Sequence, residues 1–351
     1  MKEKIIILFS LALTSLISAS PEFSGYVTAS YNKNLNNPDS RTNSPLNYYF
    51  QGREATFQLD AAHLSLTGGD SGKATYGVDF DAGTNSRWNA GADTSSVGNG
   101  WGYEIQQAYL AFPLNGILGI KGGKFYTTEG IEGLNSGNNP TISRGLIFSL
   151  SEPLAHTGVV LTATPTERVD FAVGAVNGWD NWLSPADDGI PTALVKVGLN
   201  FGNPFAGTVT AYYGPYANRD NLLSLDFTAV NKSVSIVDIN FQVNYLLKEA
   251  ASSAADGKDL SNLAFGLQPV FHLPYNTQVG ARYEFLHQKD GSSSINFHTV
   301  AVAPGWRPTP STIVRAEFRA DIADEKVFED DKGVYSKKVE PLVSAELNYT
   351  F

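Results

Sequence analysis

Arg315, Glu317, Arg319 and Asp321 fall on every second position of one short segment, with Val314, Ala316, Phe318 and Ala320 in register with them. That spacing puts four charges on one face of a β-strand and four apolar groups on the other. Arg282 and Glu284 repeat the arrangement opposite Ala281, Tyr283 and Phe285, while Lys196, Asp238, Asp226 and Asp79 stand on the polar faces of further alternating segments. Taken singly, each is a solvated face of a sheet. Repeated around many strands, they describe a charged wall facing water, whose chemistry is to attract, repel and orient dissolved solutes.

Candidates for bond-making chemistry are few. The five histidines, at 63, 156, 272, 287 and 298, lack metal-ligand spacing, and the chain has neither a phosphate-cradling glycine loop nor a GxSxG elbow. Ser143 or Ser151 could approach His156, but nothing marks a base partner or an oxyanion hole. No catalytic residue, metal or cofactor is assigned, and no enzymatic activity is expected.

The segment 127–155 is the longest connection and carries Glu129, Glu132, Arg144 and Glu152 among asparagines and glycines. In a wide barrel such a loop can fold inward, and its carboxylates would then stand opposite Arg315, Arg319 or Arg282 across the lumen. A transverse field of that kind selects by charge and dipole as well as by size. The bland alternative is an ordinary surface loop.

Strands must position these residues. Alternating segments recur from 23–33 to 341–351 and number about 16, the clearest being 192–201, 235–247, 277–287, 311–322 and 341–351. The period is blurred in the segments at 55–67, 103–112 and 117–126, through Gln106-Gln107 and the glycines from Gly119 to Gly123. Connections alternate between tight ones, such as Pro113-Leu114-Asn115-Gly116, and mostly longer ones rich in Asn, Asp, Ser and Gly. An Arg facing lipid at the bilayer midplane costs about 2–4 kcal/mol, so the charged faces should point inward. The fold expected is all-β: a transmembrane antiparallel β-barrel with short periplasmic turns and long extracellular loops. About 16 strands leave an aqueous lumen, whereas eight are filled by side chains.

Both ends of the chain agree. Met1 to about Ser20 reads as an export signal, with Lys2 and Lys4, an apolar run from Ile5 to Ile17 and a small-residue exit, so that 1–19 is the expected signal peptide and 20–351 a single barrel domain. Val343 to Phe351 alternates without a break and stops on an aromatic residue, where Phe351 would act as the assembly signal read by the barrel-insertion machinery. Aromatics near strand ends, among them Tyr48-Tyr49-Phe50, Trp101, Tyr103, Trp179, Trp182, Tyr212, Tyr213, Trp306 and Tyr349, suit an interfacial girdle; Trp179 and Trp182 could instead stack on a sugar. The 351 residues include no cysteine, which excludes a disulfide scaffold, and the net charge of −10 argues against nucleic acid as a partner.

Gln107-Ala108-Tyr109, Gly123-Lys124-Phe125-Tyr126-Thr127, Glu129-Gly130, Ser143-Arg144, His156-Thr157-Gly158 and Val176-Asn177-Gly178-Trp179-Asp180-Asn181 together resemble the OmpL-like β-barrel porin family, also called porin-2. The motifs cover about residues 104–182. The resemblance implies an outer-membrane channel and names no solute; its motif residues would line the pore or anchor the loop. The expected function is a water-filled porin of a Gram-negative outer membrane, passing ions and small hydrophilic solutes by diffusion. The rivals are a channel specific for sugars or organic anions and a plugged barrel serving as an adhesin or anchor. Lipid and the insertion machinery are the expected partners, and a homotrimer is the common assembly for barrels of this size.

Overall fold

A computed structural model describes residues 21–43, 53–70, 72–89, 102–180, 189–201, 205–217, 220–251 and 257–351. The expected signal at 1–19, and the girdle residues Tyr48, Tyr49, Phe50, Trp101 and Trp182, lie outside the described residues. The strands are β1 (Glu22–Asn34), β2 (Thr56–Gly69), β3 (Thr75–Gly83), β4 (Gly102–Pro113), β5 (Leu118–Tyr126), β6 (Ala155–Thr166), β7 (Val169–Val176), β8 (Thr192–Asn200), β9 (Phe205–Ala217), β10 (Asp220–Val234), β11 (Val237–Lys248), β12 (Leu260–Leu273), β13 (Thr277–Asp290), β14 (Ser293–Thr309), β15 (Thr312–Ala323), β16 (Phe328–Glu329), β17 (Tyr335–Lys337) and β18 (Val339–Thr350). Sixteen of them close into one antiparallel barrel in sequence order, with β18 pairing both β15 and β1; β16 and β17 form a small hairpin in the connection before β18. Among the described residues no helix is long and apolar enough to cross a membrane.

Burial is inverted relative to a water-soluble sheet. Along β15, Val314 and Phe318 are exposed whereas Arg315, Glu317, Arg319 and Asp321 are buried, and on β18 Val343, Leu347 and Tyr349 are exposed whereas Ser344, Glu346 and Asn348 are buried. An apolar outer surface with polar groups gathered inside is the solution a barrel adopts in lipid, and closure leaves no unpaired strand edge there. Closure is continuous: Tyr26 pairs with Thr350 and Asn34 with Leu342, and Gly25 and Phe351 exchange backbone hydrogen bonds at 3.0 Å each. Phe351 thereby sits at the rim that carries the short turns.

Several boundaries differ from the sequence reading. The stretch from Pro304 to Pro310, whose prolines and glycine suit a turn, instead continues β14 to Thr309: Gly305 and Trp306 pair with Arg315 and Val314 in the register of the strand, and Thr309 pairs with Thr312 beyond a register shift. Asn231-Lys232-Ser233 has the composition of a turn but is absorbed into β10 through a bulge between Asn231 and Val234. At the next tight connection the expectation of turn chemistry meets its geometry: Tyr275 and Asn276 both have left-handed backbone, with φ of 62° and 58°, as a two-residue hairpin turn requires. Of the described aromatics, Tyr103, Tyr213, Trp306, Tyr349 and Phe351 are exposed near the rims, but Tyr212 is buried inside. Trp179 packs inward against the apolar cluster around Tyr212 and Leu246, with the Lys248 ammonium 4.9 Å from its ring centre.

Candidate functional site: the barrel lumen and its inward-folded loop

Strand parity points the charged residues of β13, β15 and β18 inward, and the segment 127–154 runs down into the barrel to meet them. Arg282 donates to Glu132 Oε1 at 2.9 Å, to Thr141 Oγ1 at 2.7 Å, and to the Ser143 carbonyl and hydroxyl at 2.6 and 2.8 Å. Arg315 donates to Glu346 Oε1 at 2.7 Å and to the Asn139 and Ser136 carbonyls at 2.8 and 2.7 Å. Arg319 pairs with Asp321 at 2.8 Å and donates to the Arg144 carbonyl at 2.7 Å. All three guanidinium groups are buried, as are their acidic partners. Charge-assisted bonds from several nitrogens of one planar guanidinium to separate loop oxygens fix the loop backbone in orientation as well as in place.

Glutamates on the wall receive the loop's N–H groups. Glu317 accepts from Ser143 N at 3.0 Å, from Ile142 N at 2.5 Å and from the Ser143 hydroxyl. Glu284 accepts from Leu146 N and Ile147 N at the start of the one-turn helix Leu146–Leu150. Arg144 donates to the Gly133, Leu134 and Ile142 carbonyls and so ties the loop to itself. At Gly280 of β13 the loop backbone lies against the strand, where a Cβ would collide with the Pro140 carbonyl.

The other end of the loop is held by β9 to β12. The Tyr212 hydroxyl meets Thr128 Oγ1 at 3.0 Å, Ser224 donates to Glu129 Oε2 at 3.0 Å, and Asp226 accepts from Gly130 N at 3.2 Å. Gln242 bridges Asp226, at 2.6 Å, and Glu152. Burial first, and Asp226 second, push the Glu129 and Glu152 carboxyls well above the usual carboxylate range. Asp180, in the connection after β7, accepts from Leu154 N at 2.7 Å and Ala155 N at 3.4 Å where the loop re-enters β6. Burial pushes its carboxyl up to about 6.

Glu132, Arg144, Arg282, Glu284, Arg315, Glu317, Arg319 and Asp321 thus come together. Glu132 touches Arg282 directly, so no open lumen separates this pair. Glu129 is placed differently from its expected position opposite an arginine: its partner is Ser224, because the chain is still beside β10 when it passes this residue. Lys196 and Asp238 stand apart, paired with Asp170 at 2.9 Å and His272 at 3.1 Å. Neither Ser143 nor Ser151 bonds to His156, whose Nδ1 faces the Gly178 carbonyl at 3.3 Å. Among the described residues no group of His, Asp and Glu is arranged to hold a metal ion.

Opposite the filled half of the lumen, a cavity of about 570 Å³ remains between the loop and the wall of β1 to β5. Tyr26 stacks on His63 with ring centres 4.5 Å apart. His63 lies 3.6 Å from Asp81 and 4.0 Å from Asp79. Asp79 accepts from Ser65 at 2.6 Å, Gln107 at 2.7 Å and the Tyr126 hydroxyl at 2.9 Å. Sequence reasoning missed Tyr26, His63 and Asp81 as lumen residues. Glu346 sits on the even face of the terminal strand, which the alternation alone turns toward the lumen; His63 lies in a segment whose period is broken.

A model of the family described as "Putative beta-barrel porin-2, OmpL-like" matches residues 20–351. No curated protein matches the chain. Among solved structures, the outer-membrane channel DcaP of Acinetobacter baumannii is similar with a TM-score of 0.68 at 12% identity, over 95% of this chain and 98% of that one. An anion-selective porin from Comamonas acidovorans is similar with a TM-score of 0.64 at 9% identity, over 95% and 100% of the two chains. OmpT of Vibrio cholerae in a trimer form is similar with a TM-score of 0.62 at 11% identity, over 95% and 99%. These structures share the fold, and the family match covers nearly the whole sequence: the chain belongs to the OmpL-like porin-2 family and is an outer-membrane β-barrel channel.

Proposed function

We propose that ions and small hydrophilic solutes diffuse through the lane between the 127–155 loop and the β1–β5 wall, with the loop acting as the constriction. The observation that carries this is the asymmetry of the lumen: side chains of β9 to β15 and β18 are engaged by the loop, while about 570 Å³ stays unfilled beside Tyr26, His63 and Asp79. Transport of this kind makes and breaks no bond. The pore wall comprises Arg282, Glu284, Arg315, Glu317, Arg319, Asp321, Lys196 and Asp238, of which the first six serve chiefly to hold the loop. Residues 1–19 direct export, Phe351 at the short-turn rim serves as the signal for barrel insertion, and the assembled form is a homotrimer.

Purified protein in planar bilayers tests this reading. Discrete, ohmic current steps are expected, and deleting residues 131–150 should enlarge each step. A folded barrel that yields no steps, as a plugged adhesin or anchor would, overturns it.

A further inference from the structure

We propose that the periplasmic mouth of the barrel holds a binding subsite for small oxyanions, with Arg307 as its fixed charge. This takes the channel reading further by naming a solute class, and it concerns a recess separate from the cavity beside the loop. The recess has a volume of about 580 Å³ and lies between two short connections, β12 to β13 and β14 to β15. Its walls are tied together, since Arg307 N donates to the Asn276 carbonyl at 2.8 Å. Strand parity turns Arg307 into the lumen with Gly305, which pairs with Gln278 on one side and Arg315 on the other.

Its charge sets Arg307 apart from the other arginines of this wall. Arg282, Arg315 and Arg319 are each paired with a carboxylate, from Glu132, Glu346 and Asp321. Arg307 instead donates from Nε to Gln278 Oε1 and from Nη2 to the Gly137 carbonyl of the loop, both at 3.3 Å, and makes no ion pair among the described residues. Both acceptors are neutral, both bonds are long, and Nη1 is left without an acceptor. The recess lining includes neither aspartate nor glutamate, and it sets the Asn276 and Gln278 amides beside the guanidinium. Asp238, on the neighbouring wall of β11, meets the His272 ring at 3.1 Å. A guanidinium with spare N–H groups is a planar fork that matches the paired oxygens of a carboxylate or phosphate, and amide N–H groups alongside suit the remaining oxygens. Arg307 and Gln278 are half-buried, so the field of the charge is focused by the walls of the recess rather than spread into open water. Gly137 belongs to the short turn Ser136–Asn138, and Asn138 and Thr350 line the cavity beside the loop at this same end. An anion held by Arg307 therefore stands next to the periplasmic end of the proposed solute path.

The test is phosphorus NMR of inorganic phosphate titrated onto the full-length protein, folded in a maltoside detergent, at low chloride and neutral pH. Wild-type protein should broaden the phosphate line saturably, with half-saturation on the order of 1–10 mM for a single charge-assisted fork. Arg307→Gln should reduce the broadening at least about fivefold, and Arg307→Lys should lose part of it, because an ammonium keeps the charge without the fork. Wild-type protein that gives no saturable broadening overturns the proposal, and so does an Arg307→Gln barrel that broadens the line as strongly as wild type. If Arg307→Gln does not fold, the wild-type titration and Arg307→Lys decide. Current steps without phosphate binding overturn the subsite and leave the channel reading intact, whereas phosphate binding lost in Arg307→Gln, from folded protein that gives no steps, supports the subsite and overturns the channel reading.

Discussion

Arg282 is the residue on which most of the loop's docking converges, since one guanidinium satisfies Glu132, Thr141 and Ser143 together. Arg282→Ala leaves Glu132 as a buried charge without its cation, a change that costs about 3–5 kcal/mol in comparable settings. The expected outcome is a loop that undocks before the barrel unfolds, seen as protease cleavage within 131–150 under conditions where the wild type is protected. Asp180 gives a pH-dependent counterpart. Its carboxyl stands at about 6 against 3.8 for an unperturbed aspartate. Its contribution to docking is therefore complete below about 3.8 and is lost as pH rises through about 6. Loop protection should weaken over that interval, and Asp180→Asn should abolish that part of the pH dependence. Gly130 explains why glycine follows Glu129: its φ is +86°, and a Cβ would strike the Glu152 carboxylate. Gly130→Ala should undock the loop's first turn and raise single-channel conductance.

At the scale of elements, the loop behaves as one docked unit whose buried carboxyls favour acid conditions. Glu129 faces Ser224 and Asp226 of β10 and Tyr212 of β9, while Glu152 faces Gln242 of β11 and Asp226. Both carboxyls are raised by burial and by Asp226, so docking is favoured at low pH and loosens as pH rises through their elevated values. Conductance should rise with pH, and the double variant Glu129→Gln with Glu152→Gln should flatten that rise. The strands were legible in the sequence wherever the pleat is regular: β15 and β18 alternate over their whole length. The readings at 55–67, 103–112 and 117–126 were poor for a physical reason. β2 carries a bulge at Asp60, opposite Thr28 and Ala29, β4 carries one at Gln106, and Gly123 of β5 has φ +126°. Each extra or distorted residue switches the parity on which the reading depends. Those same irregular strands form much of the open side of the lumen, which is why His63 on β2 escaped notice while Arg315 and Arg319 did not.

For the whole molecule, the fold followed from an alternation repeated until the sheet had no choice but to close, and that much could be read from the chain. The division of the lumen into a filled half and an open half could not, because it depends on where the loop's backbone carbonyls land on the wall, and backbone groups leave no trace in residue types. The absence of cysteine from the sequence permits a direct test of that division. Ser65 lines the cavity, whereas Thr299, on the inner face of β14, is fully buried in the filled half. Single-channel recording of Ser65→Cys and Thr299→Cys, each exposed to a charged water-soluble thiosulfonate, measures which half carries the current. Stepwise block of Ser65→Cys with no effect on Thr299→Cys is the expected result; block of Thr299→Cys with Ser65→Cys untouched would overturn the division of the lumen into an open and a filled half.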